Sequence, residues 1–137
     1  MIEIKQKRTQ KVLHRVDADT LEGADLHGVD LSGAELAGAN LQGANLERAR
    51  LIQARLGGAN LQRANLRGAE LMDATLYDAD LRGADLQAAD LSMTGIAGAD
   101  FRNCNLTGVV LERACYDLST RWPSNFRPDR QGAERLV

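Results

Sequence analysis

A large apolar residue occupies every fifth position of this 137-residue chain from Leu21 to Tyr116, twenty times in succession. Seventeen of these positions, called centres below, are leucine, and the other three are Ile96, Phe101 and Tyr116. Two residues before the centre, fifteen of the twenty positions are alanine. An internal repeat of this regularity decides the architecture of the chain before any other feature does.

A five-residue period fits neither a helix nor a straight strand. In a helix, steps of five would rotate each centre by about 140° from the last and leave no buried stripe. In a strand, successive centres would point to opposite faces. The chain must therefore turn within every unit. Ten of the thirteen glycines lie two residues after a centre, where a tight turn favours a positive φ. This pattern predicts a solenoid of stacked coils.

The units resemble the A-(D/N)-L-x-x signature of the pentapeptide-repeat family, as in Ala24-Asp25-Leu26-His27-Gly28. The resemblance covers residues 19–118 and implies an all-β solenoid, a right-handed quadrilateral β-helix with four units per coil. Twenty units then give about five coils, capped at both ends. Residues twenty apart should stack on one wall, which places Asp30, Arg50, Glu70 and Asp90 in one ladder.

The two ends differ from the repeats and are expected to cover the first and last coils, because a solenoid end exposes apolar side chains and unpaired backbone. Residues 1–18 alternate around a polar stretch, Gln6–Lys11, and predict an N-terminal β-hairpin cap. They carry a net charge of +3, against −7 for residues 19–118. The alternative is an anion-binding patch formed by Lys5, Lys7, Arg8 and Lys11, but without aromatic partners this patch is a weak indication of nucleic-acid binding.

Residues 119–137 predict a C-terminal cap rich in aromatic residues. Their segment Thr120-Arg121-Trp122-Pro123-Ser124-Asn125-Phe126-Arg127-Pro128 resembles a T-(K/R)-(W/F)-P-x-x-F-x-P tail that follows the repeats in many bacterial family members. This resemblance implies that Trp122 and Phe126 lie over the last coil. Leu136 and Val137 are expected to close down after them.

Nothing in the sequence indicates catalysis. No inward position from Ala24 to Tyr116 is charged, and the two histidines lack the spacing of metal ligands. Cys104 takes an inward position and Cys115 an outward one, so both are expected to be free thiols. We therefore predict a protein that is not an enzyme, with no cofactor, metal or small-molecule substrate.

The absence of a long apolar run argues against a membrane span, and residues 1–5 lack the apolar region of a secretory signal. A cytoplasmic location is therefore expected. Direct binding to nucleic acid is not expected.

One part of the outer surface departs from the polar pattern. Ile52, Met72 and Met93 lie outward on one wall, with Tyr77 on the adjoining wall and Arg50 and Arg55 beside them. Exposed apolar side chains on a flat surface are typical of protein contacts. The sequence thus favours a rigid structural or protein-interaction module whose partner is another protein or a second copy. The alternative, implied by the family, is a DNA mimic that binds a topoisomerase such as gyrase, although arginines interrupt the acidic surface.

Overall fold

In the computed structural model, which describes residues 1–137, the repeats form coils of twenty residues stacked in parallel. Each of four sides carries a ladder of backbone bridges that join one residue to the residue twenty positions later. The first to fourth ladders are Asp25–Asn45–Asn65–Asp85–Asn105, Asp30–Arg50–Glu70–Asp90–Val110, Glu35–Arg55–Thr75–Gly95–Cys115 and Asn40–Asn60–Asp80–Asp100. The prediction that residues twenty apart stack on one wall is confirmed.

Each five-residue unit turns its corner through a hydrogen-bonded β-turn. In the first, the Ala24 N–H donates to the Leu21 carbonyl at 3.0 Å, and Gly23 between them has a φ of 68°. A positive φ at the third residue alone marks a type II turn, where glycine is favoured. The same position has a positive φ in every unit from Gly23 to Arg113, between 56° and 75°.

The recurring glycines of the sequence therefore identify only some of the turns. Nine turns place a non-glycine residue in the left-handed region, namely Arg48, Gln53, Arg63, Asp73, Asp78, Ala88, Met93, Asn103 and Arg113. Left-handed backbone costs an L-residue roughly 1–2 kcal/mol. The coil tolerates this cost because the hydrogen bonds to the neighbouring coils fix the turn on both sides.

One continuous core of 34 buried residues consists of centres and residues two before them, together with Ile4 and Ala133 from the two ends. Leu66 is fully buried, for example, while Arg67 beside it is exposed. Thr94 is buried among the alanine positions, and its hydroxyl donates to the Leu71 carbonyl at 2.9 Å. A buried hydroxyl with such a partner carries little penalty.

At the N-terminal end, strands β1 (Ile2–Lys5) and β2 (Val12–Val16) form an antiparallel hairpin. The hairpin lies against the first coil: the Lys7 N–H donates to the Gly33 carbonyl at 2.9 Å, and the Glu35 N–H donates to the Lys5 carbonyl at 2.8 Å. It thus occupies, on the third side, the place that a preceding coil would take. Ile4 points into the core and is buried.

At the C-terminal end, the chain leaves the repeat by adding one residue. Asp100 bridges Arg121, a spacing of 21 rather than 20. Thr120 is buried and its hydroxyl donates to the Ile96 carbonyl at 3.1 Å, which puts it in the place of an alanine. Trp122 then takes the place of a centre. The tail ends with a 3-10 helix (Pro128–Gln131) and β4 (Glu134–Arg135), which pairs in parallel with β3 (Cys115–Tyr116).

Three aromatic rings are stacked above the leucine column. Trp122 lies on Phe101 with ring centroids 4.9 Å apart and planes 7° apart, and Phe126 lies on Trp122 at 5.2 Å and 22°. Tyr116 meets Trp122 edge-on at 5.7 Å.

The prediction that Leu136 and Val137 close over this end is wrong, because both side chains are exposed. Pro128 and Ala133 are buried instead. The rings already fill the space above the last coil, and a hydrogen bond of 2.7 Å from the Leu136 N–H to the Tyr116 carbonyl holds this backbone at the edge. No helix in the structure has the length and apolar character needed to cross a bilayer.

Candidate contact surface

The apolar residues singled out in the sequence lie along both edges of the third ladder, and we call this side of the molecule the third wall. Ile52 and Met72 follow the buried centres Leu51 and Leu71, lie one coil apart and are half-buried. Met93 lies at the turn of the next coil with a φ of 57° and is 46% exposed. These three side chains therefore follow the same edge over three successive coils.

Tyr77 comes from the opposite edge and lies across the third wall. It is 48% exposed, and its ring covers Gly95 in the next coil. A methyl group added to Gly95 would come within 2.5 Å of the Tyr77 hydroxyl. The equivalent positions one coil before and one coil after Tyr77 hold the small residues Gly57 and Ala97, so no large side chain stands beside its ring there. The structure thus brings Tyr77 onto the wall bordered by the other three side chains.

Gly95 is the residue that the sequence prediction missed. It stands just before a centre, outside the position where the other glycines recur, and its φ is not positive. Its missing side chain is therefore needed for packing against Tyr77 and not for the turn. A glycine outside the five-residue rhythm was the signal that could have identified it.

The two arginines beside this surface differ in their contacts. The Arg50 guanidinium lies 3.2 Å from a Glu70 oxygen and 3.8 Å from an Asp30 oxygen, so it is held between two carboxylates of the second ladder. Arg55 is exposed and makes no ion pair. Arg55 is therefore the arginine available at the rim.

The fourth wall is polar and internally paired. Arg82 lies 2.7 Å from an Asp80 oxygen, and Arg102 lies 2.7 Å from an Asp100 oxygen. Hydrogen bonds from these arginines are the main reason that the pKa values of Asp80 and Asp100 are lowered. The charged groups of this wall pair within the chain, which contrasts with the exposed apolar side chains along the third wall.

The two cysteines are free and show no sign of activation. The Cys104 thiol donates to the Leu81 carbonyl at 2.8 Å, and burial raises its pKa to about 12. Because the thiolate is the reactive form, Cys104 is suited to packing rather than to nucleophilic chemistry. No group of three or more His, Cys, Asp or Glu side chains is arranged to hold a metal ion.

The family model for pentapeptide repeats matches residues 20–53, 54–92 and 84–115, in eight copies. The chain belongs to the pentapeptide-repeat family. Members of this family form right-handed quadrilateral β-helices, are generally non-catalytic and act as protein-interaction modules. The family membership predicted from the repeat signature is confirmed. No curated protein matches the sequence.

Several solved structures are similar to this one. The pentapeptide-repeat protein Rfr23 from the cyanobacterium Cyanothece 51142 is 36% identical, with 72% of this chain and 63% of that chain covered and a TM-score of 0.49. The chain thus spans slightly less than two thirds of the length of Rfr23.

Two further structures share the fold at lower identity. HetL from Nostoc sp. strain PCC 7120, a pentapeptide-repeat protein involved in heterocyst differentiation regulation, is 24% identical over 82% of this chain and 68% of that chain, with a TM-score of 0.53. QnrB1, a plasmid-mediated fluoroquinolone resistance protein, is 16% identical over 83% and 78%, with a TM-score of 0.50. At these identities the likeness extends to the fold alone.

Proposed function

We propose that this protein is a non-catalytic module that presents the third wall to another protein or to a second copy of itself. The observation that carries the proposal is the exposed ring of Tyr77, held across the wall by Gly95, with Met72 and Met93 at the far edge. Tyrosine offers contact area at a low cost in conformational entropy, and methionine adapts to varied partner shapes. The stacked coils hold these side chains at fixed spacings.

The remaining residues of the proposed surface have the composition expected of a protein–protein interface. Ile52 extends the apolar edge by one coil, and Arg55 lies at the rim without an ion pair. Interfaces are enriched in aromatic residues, methionine and arginine relative to the remaining surface. Arg50 is expected to contribute less, because Asp30 and Glu70 already hold its guanidinium.

A double substitution, Met72→Glu with Tyr77→Ala, tests this function. Neither side chain belongs to the buried core, so the melting temperature should stay nearly unchanged while capture of a partner, or self-association, is lost. The matched control is Gln62→Glu with Gln87→Ala, which alters the same positions of the repeat on other walls. Affinity capture and analytical ultracentrifugation provide the readouts. Binding retained by a folded Met72→Glu, Tyr77→Ala variant would place the working surface elsewhere.

We further propose that the rod comprises five coils and that both ends are capped, the first by residues 1–18 and the last by residues 119–137. The support is the hairpin bonded along Gly33 and Glu35 at one end and the stacked rings of Trp122 and Phe126 at the other. We propose a cytoplasmic localisation for the protein. Fractionation of cells that produce the full-length protein would test that location.

A DNA-mimic function is the second candidate. Its support is the net charge of −7 on residues 19–118 and a fold shared with a fluoroquinolone resistance protein. Against it, arginines such as Arg50, Arg67 and Arg82 pair with the carboxylates around them and break up the negative surface. A gyrase supercoiling assay separates the two functions: inhibition at stoichiometric protein supports mimicry, and unchanged supercoiling leaves the third-wall function.

A further inference from the structure

A cleft of about 540 Å³ lies where the loop of the N-terminal hairpin meets the lower end of the third wall. The loop contributes Lys7 and Arg8, and the wall contributes Arg55. Ile52 is the one hydrophobic residue in the lining, and no acidic residue takes part. The cleft exists because the Lys7 N–H donates to the Gly33 carbonyl and fixes the loop beside the coil.

Two of the three cations that line the cleft are uncommitted. The Lys7 ammonium lies 3.3 Å from a Glu35 oxygen, which offsets part of its charge. Burial raises the pKa of Glu35, but the Ala37 N–H, Lys7 and the nearby charge of Arg55 outweigh this and hold the pKa below its usual value, so Glu35 is ionised at neutral pH. Arg8 and Arg55 make no ion pair and no side-chain hydrogen bond. Two guanidinium groups therefore face the cleft with their donors free.

Uncharged donors complete the lining. The Ser32 hydroxyl oxygen is buried and has no hydrogen bond of normal geometry, and its interaction with Asp30 is the main reason that the pKa of that carboxyl is lowered. A buried polar atom left without a partner is uncommon in folded proteins. The amides of Gln6 and Gln53 lie on opposite sides of the same cleft. Donors thus approach it from both the loop and the wall.

We propose that this cleft binds a phosphate ester. Guanidinium groups match the oxygens of phosphate with paired, charge-assisted hydrogen bonds, and a lysine ammonium adds a compact positive charge. A tetrahedral dianion uses donors from several directions, whereas a carboxylate offers two oxygens in one plane. The cleft is larger than a bare phosphate, which leaves room for the organic part of an ester beside Ile52 and Gln53.

This site goes beyond the proposed protein contact. Ile52 and Arg55 belong to both surfaces, but Met72, Tyr77 and Met93 do not line the cleft, so Tyr77→Ala alone tests the contact surface without removing or adding a charge near the phosphate site. The sequence prediction gave no small-molecule substrate and favoured a cap at the basic hairpin, with an anion-binding patch as the alternative; the cleft joins Lys7 and Arg8 of that patch to Arg55. The ester can be a free metabolite or a phosphorylated side chain of a partner, and the probes below distinguish these sources.

Nuclear magnetic resonance of the arginine Nε groups in the full-length protein provides the test. The probes are glycerol 3-phosphate and a short phosphoserine peptide, with glycerol and the unphosphorylated peptide as controls, at constant ionic strength in sodium chloride. We expect the Nε signals of Arg8 and Arg55 to shift and saturate. Saturation with glycerol 3-phosphate identifies a free ester, and saturation with the phosphopeptide alone identifies a partner's phosphoserine. No saturable shift with either probe overturns the proposal.

Variants separate a built site from general attraction between charges. Arg8→Gln with Arg55→Gln should weaken binding by at least roughly tenfold, since two charge-assisted contacts are removed. Arg48→Gln with Arg63→Gln removes the same charge from two arginines that are also free of ion pairs, and binding should remain within about twofold of the original. Equal losses in the two double variants would overturn the proposal. The backbone amide spectrum shows that each variant is folded.

Ser32→Ala adds an independent readout. Because the Ser32 hydroxyl interacts only with the exposed carboxylate of Asp30, its removal should change the melting temperature little, while binding of the phosphate probe weakens severalfold. A lower melting temperature with unchanged binding would mean that the hydroxyl serves the fold through Asp30 and not the ligand.

Discussion

The middle coils and the C-terminal tail solve the same packing problem in different ways. From Leu41 to Leu91 every centre is fully buried, because similar units in the neighbouring coils cover it. At the tail no further coil is available, and the spacing changes from 20 to 21 residues as Trp122 replaces a leucine. A repeat can cover its own interior with one rule, but its last copy needs a side chain of different shape.

The N-terminal end shows a third solution. There the hairpin supplies backbone hydrogen bonds along the open edge at Gly33 and Glu35, and Ile4 supplies the apolar cover. The tail relies on stacked rings at one corner and on the short pairing of β3 with β4 at another. As proposed caps, the two ends therefore protect different groups: mainly backbone groups at the start of the rod and mainly apolar side chains at its end.

Removal of residues 119–137 breaks this comparison most severely. The truncated chain would expose Phe101 and the unpaired backbone of the last coil, and such an edge pairs readily with another chain. We expect end-to-end association and a large loss of stability, measured by size-exclusion chromatography and thermal melts. A truncated protein that stays monomeric and equally stable would show that the tail is not a cap.

Substitution in the middle of the rod should have the next largest effect. Leu66→Ala removes a fully buried side chain between two coils and should lower the free energy of unfolding by about 2–5 kcal/mol. Arg67→Ala, one residue further on, removes an exposed side chain that pairs with Asp85, and should cost far less. Urea melts of both variants provide the comparison, and similar losses would contradict the inward and outward assignment.

Turn substitutions sharpen the comparison among coils. Gly28 has a φ of 66°, and an added methyl group would meet nothing within 4 Å, so Gly28→Ala isolates the cost of left-handed backbone at about 1 kcal/mol. Ala88, with a φ of 61°, gives the reverse case, and Ala88→Gly should stabilise by a similar amount. Chemical denaturation measures both. If both substitutions changed the free energy of unfolding in the same direction, the positive φ would not be what determines the stability of these turns.

The smallest effect concerns pH and the fourth wall. Hydrogen bonds from Arg82 and Arg102 lower the folded-state pKa values of Asp80 and Asp100 below 3.8, their ordinary value. This stabilisation is therefore present above about pH 3.8 and is lost as the pH falls through the lowered values. Asp100→Asn should lose less stability than the original chain as the pH falls below 3.8, because it has no carboxyl at this position to protonate. If the free energy of unfolding fell equally with pH in both proteins, ionised Asp100 would not be stabilising the fold.

The candidate surface was only partly readable from the sequence. The repeat phase indicated that Met72 and Tyr77 point outward, since each follows a buried centre. It could not show that Tyr77 lies over Gly95, because that contact joins residues of neighbouring coils through the direction of a side chain. Whether these residues bind a partner stays a prediction. The basic cleft was equally hidden, since Arg8 and Arg55 are 47 positions apart in the chain and meet only through the docked hairpin.

The sequence by itself determined the solenoid, the identity of the inward residues and the family, because each unit repeats the same local requirement for a turn and two apolar positions. Only the tertiary structure decided the rest. It placed nine non-glycine residues in left-handed turns, moved Trp122 into the place of a centre and left Leu136 and Val137 exposed. The repeat period specifies the turn and the buried positions of a unit that packs against similar units in the neighbouring coils. Where that neighbour is missing, the outcome depends on contacts between distant and unique residues, and these leave no period in the sequence.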